Sequence, residues 1–240
     1  QSTAAFSGCS PSGNTCLQAP IDKDVHGNPV LQQVGDDPHL WTGTYPAIHN
    51  VRQAGVGGTW RIPRQLAVLG ELVAAAGLEP IAVTGNGFVT DVGGYGRGFT
   101  EFRNMMREKG VINGYLPGRL VLDAALARLE VHQAKPTLLF LGTVDTHGPW
   151  VARKPWIDRY SDPGYRGPFR YHKPPLLEGT SPADIAQVRA LYDGAMAAND
   201  AGVQALLAGL HELGLSDNTI VVLLADHGEN LYDEPGRGMG

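Results

Sequence analysis

The stretch TLLFLGTVDTHGPW, residues Thr137–Trp150, joins an apolar run to a polar cluster. The apolar part has no polar face, which is typical of a strand buried on both sides in a parallel sheet. A second run of this kind, Thr219–Ala225, leads into Asp226-His227-Gly228-Glu229. Parallel sheets bind ligands beyond the carboxyl ends of their strands. The polar residues after these two runs are therefore the first candidates for a site.

Amphipathic segments separate the apolar runs. Apolar residues recur at helical spacing from Arg64 to Ala76 and from Leu120 to Leu129, and each segment predicts a helix. Pro80–Val83, bounded by glycines on its carboxyl side, predicts a short buried strand. Ser181-Pro182-Ala183-Asp184 combines an N-cap serine, a proline at the first helical position and a following acid. It predicts the start of a long helix that stops at Gly214.

The alternation of helices with strands that are apolar on both faces indicates the fold class. It predicts an α/β fold with a mainly parallel central sheet and helices on both faces. Residues 1–40 are rich in Gly, Pro, Asn, Asp and Ser without a clear period, which predicts an irregular or inserted segment. Residues 41–240 are expected to form the α/β core of one partial domain.

Composition narrows the classes of function. With 240 residues, 42% hydrophobic and 18% charged, the chain is typical of a folded globular protein. Its net charge of −5 and its lack of a dense basic block disfavour nucleic acid as a partner. The longest apolar runs fall well short of the roughly 18 residues that a membrane span requires. We therefore expect no membrane span in this chain.

Two polar segments could perform chemistry. The carboxylate of Asp226 and the imidazole of His227 form a mixed oxygen and nitrogen pair suited to a divalent cation, although Asp226 could instead cap the following turn. His147 could protonate a leaving oxygen, because the pKa of an unperturbed histidine lies near neutrality. Alternatively, His147 could be a structural hydrogen-bonding group beneath the ring of Trp150. The presence of both segments at strand ends favours a shared site.

Three segments occur in a specific order and spacing: TGTYPAIH at 42–49, DTHGPW at 145–150, and LSDNTIVVLLADHGE at 215–229. Together they resemble the sulfatase family of the alkaline-phosphatase superfamily, over about residues 40–240. The resemblance implies that family's α/β fold, incomplete in this chain, and metal-dependent hydrolysis of sulfate esters. It also implies a sulfate or phosphate ester, small or part of a glycan, as the substrate, and a periplasmic or extracellular location.

The resemblance assigns roles to individual residues. Asp226 and His227 match the family's metal-binding pair, which implies Ca²⁺, with Mn²⁺ or Zn²⁺ as alternatives. His147 matches the histidine that protonates the leaving group. Asn86 lies near the place where the family has a lysine, and we predict that it binds substrate.

The nucleophile is harder to assign. Cys9-Ser10-Pro11-Ser12 is similar to the family's Cys-x-Pro-Ser-Arg segment, but Gly13 replaces the arginine and the segment lies earlier than the family's spacing places it. The resemblance implies that Cys9 is the nucleophile, matured to formylglycine. A local disulfide between Cys9 and Cys16 is the alternative.

Other activities fit the same scaffold. They are phosphodiester hydrolysis, phosphonate monoester hydrolysis and phosphoethanolamine transfer. A member without a nucleophile that only binds anions is a further alternative. The family's paired N-terminal aspartates have no counterpart here, and neither does a histidine that follows the last motif. We therefore expect the sequence to be a fragment, poorly active in isolation.

Overall fold

The computed structural model describes residues 38–49, 51, 61–110, 116–131, 135–148, 150–151, 153–169, 180–225, 228–229 and 231. Helices and strands alternate within these ranges, together with two single-turn 3₁₀ segments, Trp156–Arg159 and Ser216–Asn218. In chain order the elements are α1 (Pro38–Thr42), α2 (Pro46–His49), α3 (Leu69–Ala75), β1 (Glu79–Thr84), β2 (Glu101–Asn104), α4 (Met105–Glu108), α5 (Gly118–Val131), β3 (Thr137–Gly142) and α6 (Pro182–Glu212).

The three described strands form one parallel sheet in the order β2-β1-β3. In the register of the central strand, Ala82 is opposite Phe102 of β2 and Phe140 of β3. Because all three strands run the same way, their carboxyl ends lie at one edge of the sheet. The predicted parallel α/β architecture is confirmed.

The sheet is covered on both faces. Successive residues of a strand point to opposite faces of the sheet. On one face, Ala82 and Phe140 pack with Trp41 of α1. The ring centroids of Trp41 and Phe140 are 4.4 Å apart. Val83, next along β1, packs instead with Val121 of α5. The predicted placement of helices on both faces is thus also confirmed.

Helix α6 begins at the predicted position. Ser181 is its N-cap: the Ser181 Oγ accepts a hydrogen bond from the Asp184 N–H, and the Asp184 carboxylate accepts one from the Ser181 N–H. Side chains of this helix take part in a separate hydrophobic cluster, which we call the Trp150 cluster. Its buried members are Trp150, Ile157, Tyr165, Phe169, Val188, Ala190, Leu191 and Ala195. Although α6 has 31 residues, no helix in the described ranges is long and apolar enough to cross a membrane.

Helix α3 starts later than predicted, at Leu69 rather than Arg64. The guanidinium of Arg97 donates hydrogen bonds to the carbonyl oxygens of Arg64 and Leu66, at 3.1 and 2.7 Å. Those carbonyls are therefore engaged outside a helix. The predicted left-handed residue after the helix is present, since Gly77 has a φ of +84°.

The prediction of a strand at Thr219–Ala225 is wrong. These residues form no strand, and the side chains of Ile220 and Leu223 are 92% and 78% exposed. A strand requires a neighbour for its N–H and C=O groups, and in the described ranges β3 pairs only with β1. An apolar pattern reports a preference for burial but does not supply the pairing partner. Strand β3 itself ends at Gly142, two residues before the predicted Val144.

Candidate active site

The candidate site lies at the sheet edge formed by the carboxyl ends of β1 and β3. The N–H of Gly85 donates to the carbonyl oxygen of Gly142 at 2.7 Å, which continues the pairing beyond the last residue of β1. Asn86 and His147 follow these two strand ends, so the structure brings both of them to the same edge. The other predicted site residues, Cys9, Asp226 and His227, lie outside the described residues.

The ring of His147 is oriented by a contact with the main chain. Its Nδ1 lies 2.5 Å from the carbonyl oxygen of Gly148. Because a carbonyl oxygen can only accept, Nδ1 must carry the hydrogen. The Nε2 atom of the neutral ring then has a lone pair, and in the imidazolium form it holds the transferable proton. The local bond therefore orients the half-buried ring without using its second nitrogen.

The indole of Trp150 closes the loop that contains His147. It is fully buried, and its Nε1–H donates to the carbonyl oxygen of Thr146 at 2.8 Å. Its ring meets that of Tyr192 on α6 edge to face, with centroids 5.4 Å apart. The loop is therefore anchored to the Trp150 cluster and through it to the longest helix.

Asp145 is a buried acid at the start of the same loop, with its side chain only 3% exposed. The N–H of Gly118, the first residue of α5, donates to its carboxylate. A Cβ on Gly118 would overlap the Asp145 carboxylate, so this close approach requires glycine. The Nη2 atom of Arg153 lies 3.6 Å from Asp145 Oδ1.

Burial shifts the pKa of both charged groups. It raises the pKa of Asp145 to about 6, against the lowering effect of the Gly118 N–H, and it lowers the pKa of Arg153 to about 10. Sequence reasoning included Asp145 in a motif but gave it no role. The available indication was an acid at a strand end combined with a glycine at a helix start.

Asn86 contributes to the turn after β1. Its buried side chain accepts the N–H of Phe88 at Oδ1, 2.9 Å away. The amide of Asn104 donates to the main-chain oxygen of Asn86 at 2.7 Å and to that of Val89 at 2.8 Å. Because Oδ1 already accepts the Phe88 N–H, Asn86 would bind an anion through its side-chain N–H groups. Its role in substrate binding stays a prediction.

The predicted donors for a divalent cation lie outside the described residues and stay predictions. The carboxylate and imidazole of Asp226 and His227 are chemically suited to one. In the part of the chain that the structure describes, no group of three or more His, Cys, Asp and Glu could hold a metal ion. The Asp145 carboxylate is directed instead to Gly118 and Arg153.

Comparisons with known proteins agree with this fold. The multifunctional alkaline phosphatase superfamily protein PehA of Trinickia caryophylli is 29% identical over 138 residues, which are 46% of this chain and 27% of that protein. The phosphonate monoester hydrolase of Agrobacterium radiobacter has a TM-score of 0.62 at 16% identity, over 84% of this chain and 54% of that one.

Two further solved structures have the same fold. The phosphonate monoester hydrolase of Silicibacter pomeroyi gives a TM-score of 0.58 at 17% identity, over 84% of this chain and 54% of its own. A 2-O GAG sulfatase gives 0.51 at 17% identity, over 82% of this chain and 48% of its own. The chain thus spans about a quarter of the curated relative and about half of each of these structures.

A family model also matches most of the chain. The model, described as Sulfatase, matches residues 38–240 and so includes both strand ends that form the candidate site. The predicted resemblance is confirmed: the chain belongs to the sulfatase family of the alkaline phosphatase superfamily.

Proposed function

We propose that the protein containing this chain hydrolyses sulfate monoesters and that His147 is its general acid. The observation that supports this role most directly is the 2.5 Å contact between His147 Nδ1 and the Gly148 oxygen. It leaves Nε2 to carry the proton that the departing oxygen needs when the sulfur–oxygen bond breaks. The sulfatase match and the position of His147 at the binding edge of the sheet support the same role.

The other roles in this proposal rest on family resemblance. Asp226 and His227 would hold a divalent cation, which when bound neutralises charge on the ester oxygens. Cys9 remains the predicted nucleophile. Asn86 would donate its amide N–H groups to a non-reacting ester oxygen. A neutral amide suits an ester with one negative charge better than one with two, because less charge must be balanced.

Hydrolysis of phosphonate monoesters is the second candidate. Two of the solved structures that resemble this chain are named phosphonate monoester hydrolases, and PehA is named multifunctional. Phosphonate monoesters carry one negative charge at neutral pH, as sulfate monoesters do. The neutral side chain of Asn86 therefore fits both candidates and disfavours phosphate monoesters.

The test is a panel of p-nitrophenyl esters assayed with the whole protein and a supplied divalent metal. Turnover of the sulfate ester above the phenylphosphonate ester supports the first candidate, and the reverse order supports the second. Turnover of neither ester, with the fold intact by circular dichroism, would overturn both and favour an anion-binding member without activity.

The acid role has its own test. We expect His147→Gln to lower kcat by about 10²–10⁴-fold for esters with poor leaving groups and much less for p-nitrophenyl esters, which need little protonation. His211→Gln, in the last turn of α6 and exposed, is the matched control and should leave kcat unchanged. Equal losses for good and poor leaving groups would contradict the role.

A further inference from the structure

One peptide unit, the unit between Thr146 and His147, is hydrogen-bonded at both of its ends. Its carbonyl oxygen accepts from the Trp150 indole at 2.8 Å. Its N–H donates to the carbonyl oxygen of Val144 at 3.2 Å. A peptide unit is planar, so two bonds on opposite ends fix the orientation of the whole plane. This plane leads directly into the Cα of His147.

The peptide unit that begins at the Gly148 carbonyl, one unit further along the chain, fixes the ring. The Gly148 carbonyl follows His147 and accepts from its Nδ1. The imidazole is therefore positioned by two peptide planes, one on each side of the His147–Gly148 unit, and a tilt of the first would carry the ring with it. Among the described residues, Trp150 is the side chain outside His147 that supplies a hydrogen bond to these planes.

The indole is itself anchored. Trp150 has no exposed surface, and it packs with Val188 and Leu191 of α6 in the Trp150 cluster. The edge-to-face contact with Tyr192 adds a directional restraint on the ring. The Nε1–H therefore projects from a rigid support on α6 toward the Thr146 carbonyl.

We propose that Trp150 is a positioning residue for His147 and holds Nε2 where the leaving oxygen of the substrate departs. The proposal rests on the proposed acid role of His147. Its expected size follows from geometry, since a misplacement of about 1 Å at a reacting group can cost on the order of 10²-fold in rate.

The variant that tests it is Trp150→Phe, which keeps a buried aromatic ring and removes the N–H. The matched control is Tyr165→Phe. It removes one hydrogen-bonding group from another aromatic ring of the same cluster, the hydroxyl that donates to Asp184 at 2.5 Å. Both variants should lose some thermal stability, and only Trp150→Phe should alter catalysis.

The readout is the dependence of kcat on the leaving group in a series of esters assayed with the whole protein and a supplied divalent metal. We expect Trp150→Phe to change kcat by less than about 2-fold for the best leaving group and to lower it by about 10–100-fold for the poorest. KM should stay near the wild-type value. A merely structural role would lower kcat equally for all esters, and that result would overturn the proposal.

His147→Gln separates this proposal from the proposed function. If His147→Gln shows a steeper leaving-group dependence and Trp150→Phe does not, the positioning role is overturned and the acid role stands. If His147→Gln shows no such dependence, the acid role is overturned, and the positioning role in catalysis with it.

A measurement that does not depend on turnover tests whether Trp150 orients the His147 ring. ¹⁵N NMR of the neutral His147 ring should show a protonated Nδ1 and an unprotonated Nε2 in the wild-type protein. In Trp150→Phe we expect a mixture of tautomers, with Tyr165→Phe like the wild type. Unchanged ring shifts in Trp150→Phe would overturn the proposal.

Discussion

At the scale of single residues, the pKa of Asp145 depends strongly on its burial. This residue is a buried carboxylate supported by one N–H from the start of α5 and by a guanidinium 3.6 Å away. Burial removes the water that would otherwise solvate the carboxylate. The charged form of Asp145 is therefore costly at neutral pH.

This cost predicts a pH dependence of stability. Burial raises the pKa of Asp145 from 3.8 to about 6, so between these pH values the folded state binds a proton that the unfolded state has released. The contribution of Asp145 to the free energy of unfolding should then fall as pH rises from about 4 to about 6, by up to about 3 kcal/mol.

The variant Asp145→Asn isolates this contribution. The asparagine cannot ionise but keeps an oxygen that can accept the Gly118 N–H. Urea denaturation at pH 4.5, 5.5 and 7.5 should show the variant gaining stability relative to wild type as pH rises. A difference between the two proteins that is the same at all three pH values would contradict the prediction.

The site could be predicted from sequence only where the relevant groups are close along the chain. His147 was identified because it follows an apolar run within a few residues. The support for Asp145 was not identified, because Gly118 is distant in sequence and contributes by lacking a side chain. Asp226, His227 and Cys9 stay predictions, since they lie outside the described residues.

At the scale of elements, the contact between α5 and α6 depends on two glycines. Gly202 and Gly209 lie on α6, one heptad apart, and face Leu122 and Leu126 of α5. A Cβ on Gly202 would lie 2.6 Å from Leu122 Cδ1, and one on Gly209 would overlap Leu126. At these two positions α6 has glycine and therefore no side chain, so the two helices can approach each other closely.

The variant Gly209→Val tests this contact. The added side chain must displace Leu126, and we expect the free energy of unfolding to fall by about 1–3 kcal/mol. The matched control is Ala208→Val on the exposed side of the same helix, where the intrinsic helix propensity costs less than about 1 kcal/mol. Equal losses in chemical denaturation would show that overpacking is not the cause.

Helices whose bounds depend on residues close along the chain could be predicted well. The Ser181 cap fixed the start of α6, and the apolar period gave α5 within a few residues of its bounds, Gly118–Val131. The start of α3 was misplaced because Arg97, far along the chain, engages carbonyls of the preceding segment. The strand at Thr219–Ala225 was wrong because strand formation depends on a neighbour that the pattern does not contain.

At the scale of the whole molecule, an exposed apolar run departs from a typical protein surface. The side chains from Ile220 to Leu224 are consecutive and are all more than half exposed. Contiguous apolar surface favours association. We therefore expect the 240-residue chain to self-associate through this segment.

The variant Leu223→Lys should reduce that self-association, because a charge in the run opposes its burial against another surface. The control is Leu207→Lys on α6, whose side chain is 43% exposed but lies outside the run. Light scattering over a concentration series is the measurement. If the two variants associate equally, the segment is not the cause.

The α/β class and the coverage of both sheet faces could be predicted, because each follows from patterns repeated along the chain. The strand order could not. It depends on β2, whose four residues, Glu101–Asn104, have no apolar run to mark them. That strand is defined by its parallel pairing with β1, in which Glu101 is opposite Ile81.

The loop that contains His147 is held by hydrogen bonds to main-chain oxygens, those of Val144, Thr146 and Gly148. Every amino acid has such an oxygen, so the identities of residues 144 and 146 could drift during evolution while the ring stayed in place. The indole has no such substitute, since only tryptophan places an N–H at the rim of so large a ring. Divergent relatives that lack it would need another donor to the same carbonyl.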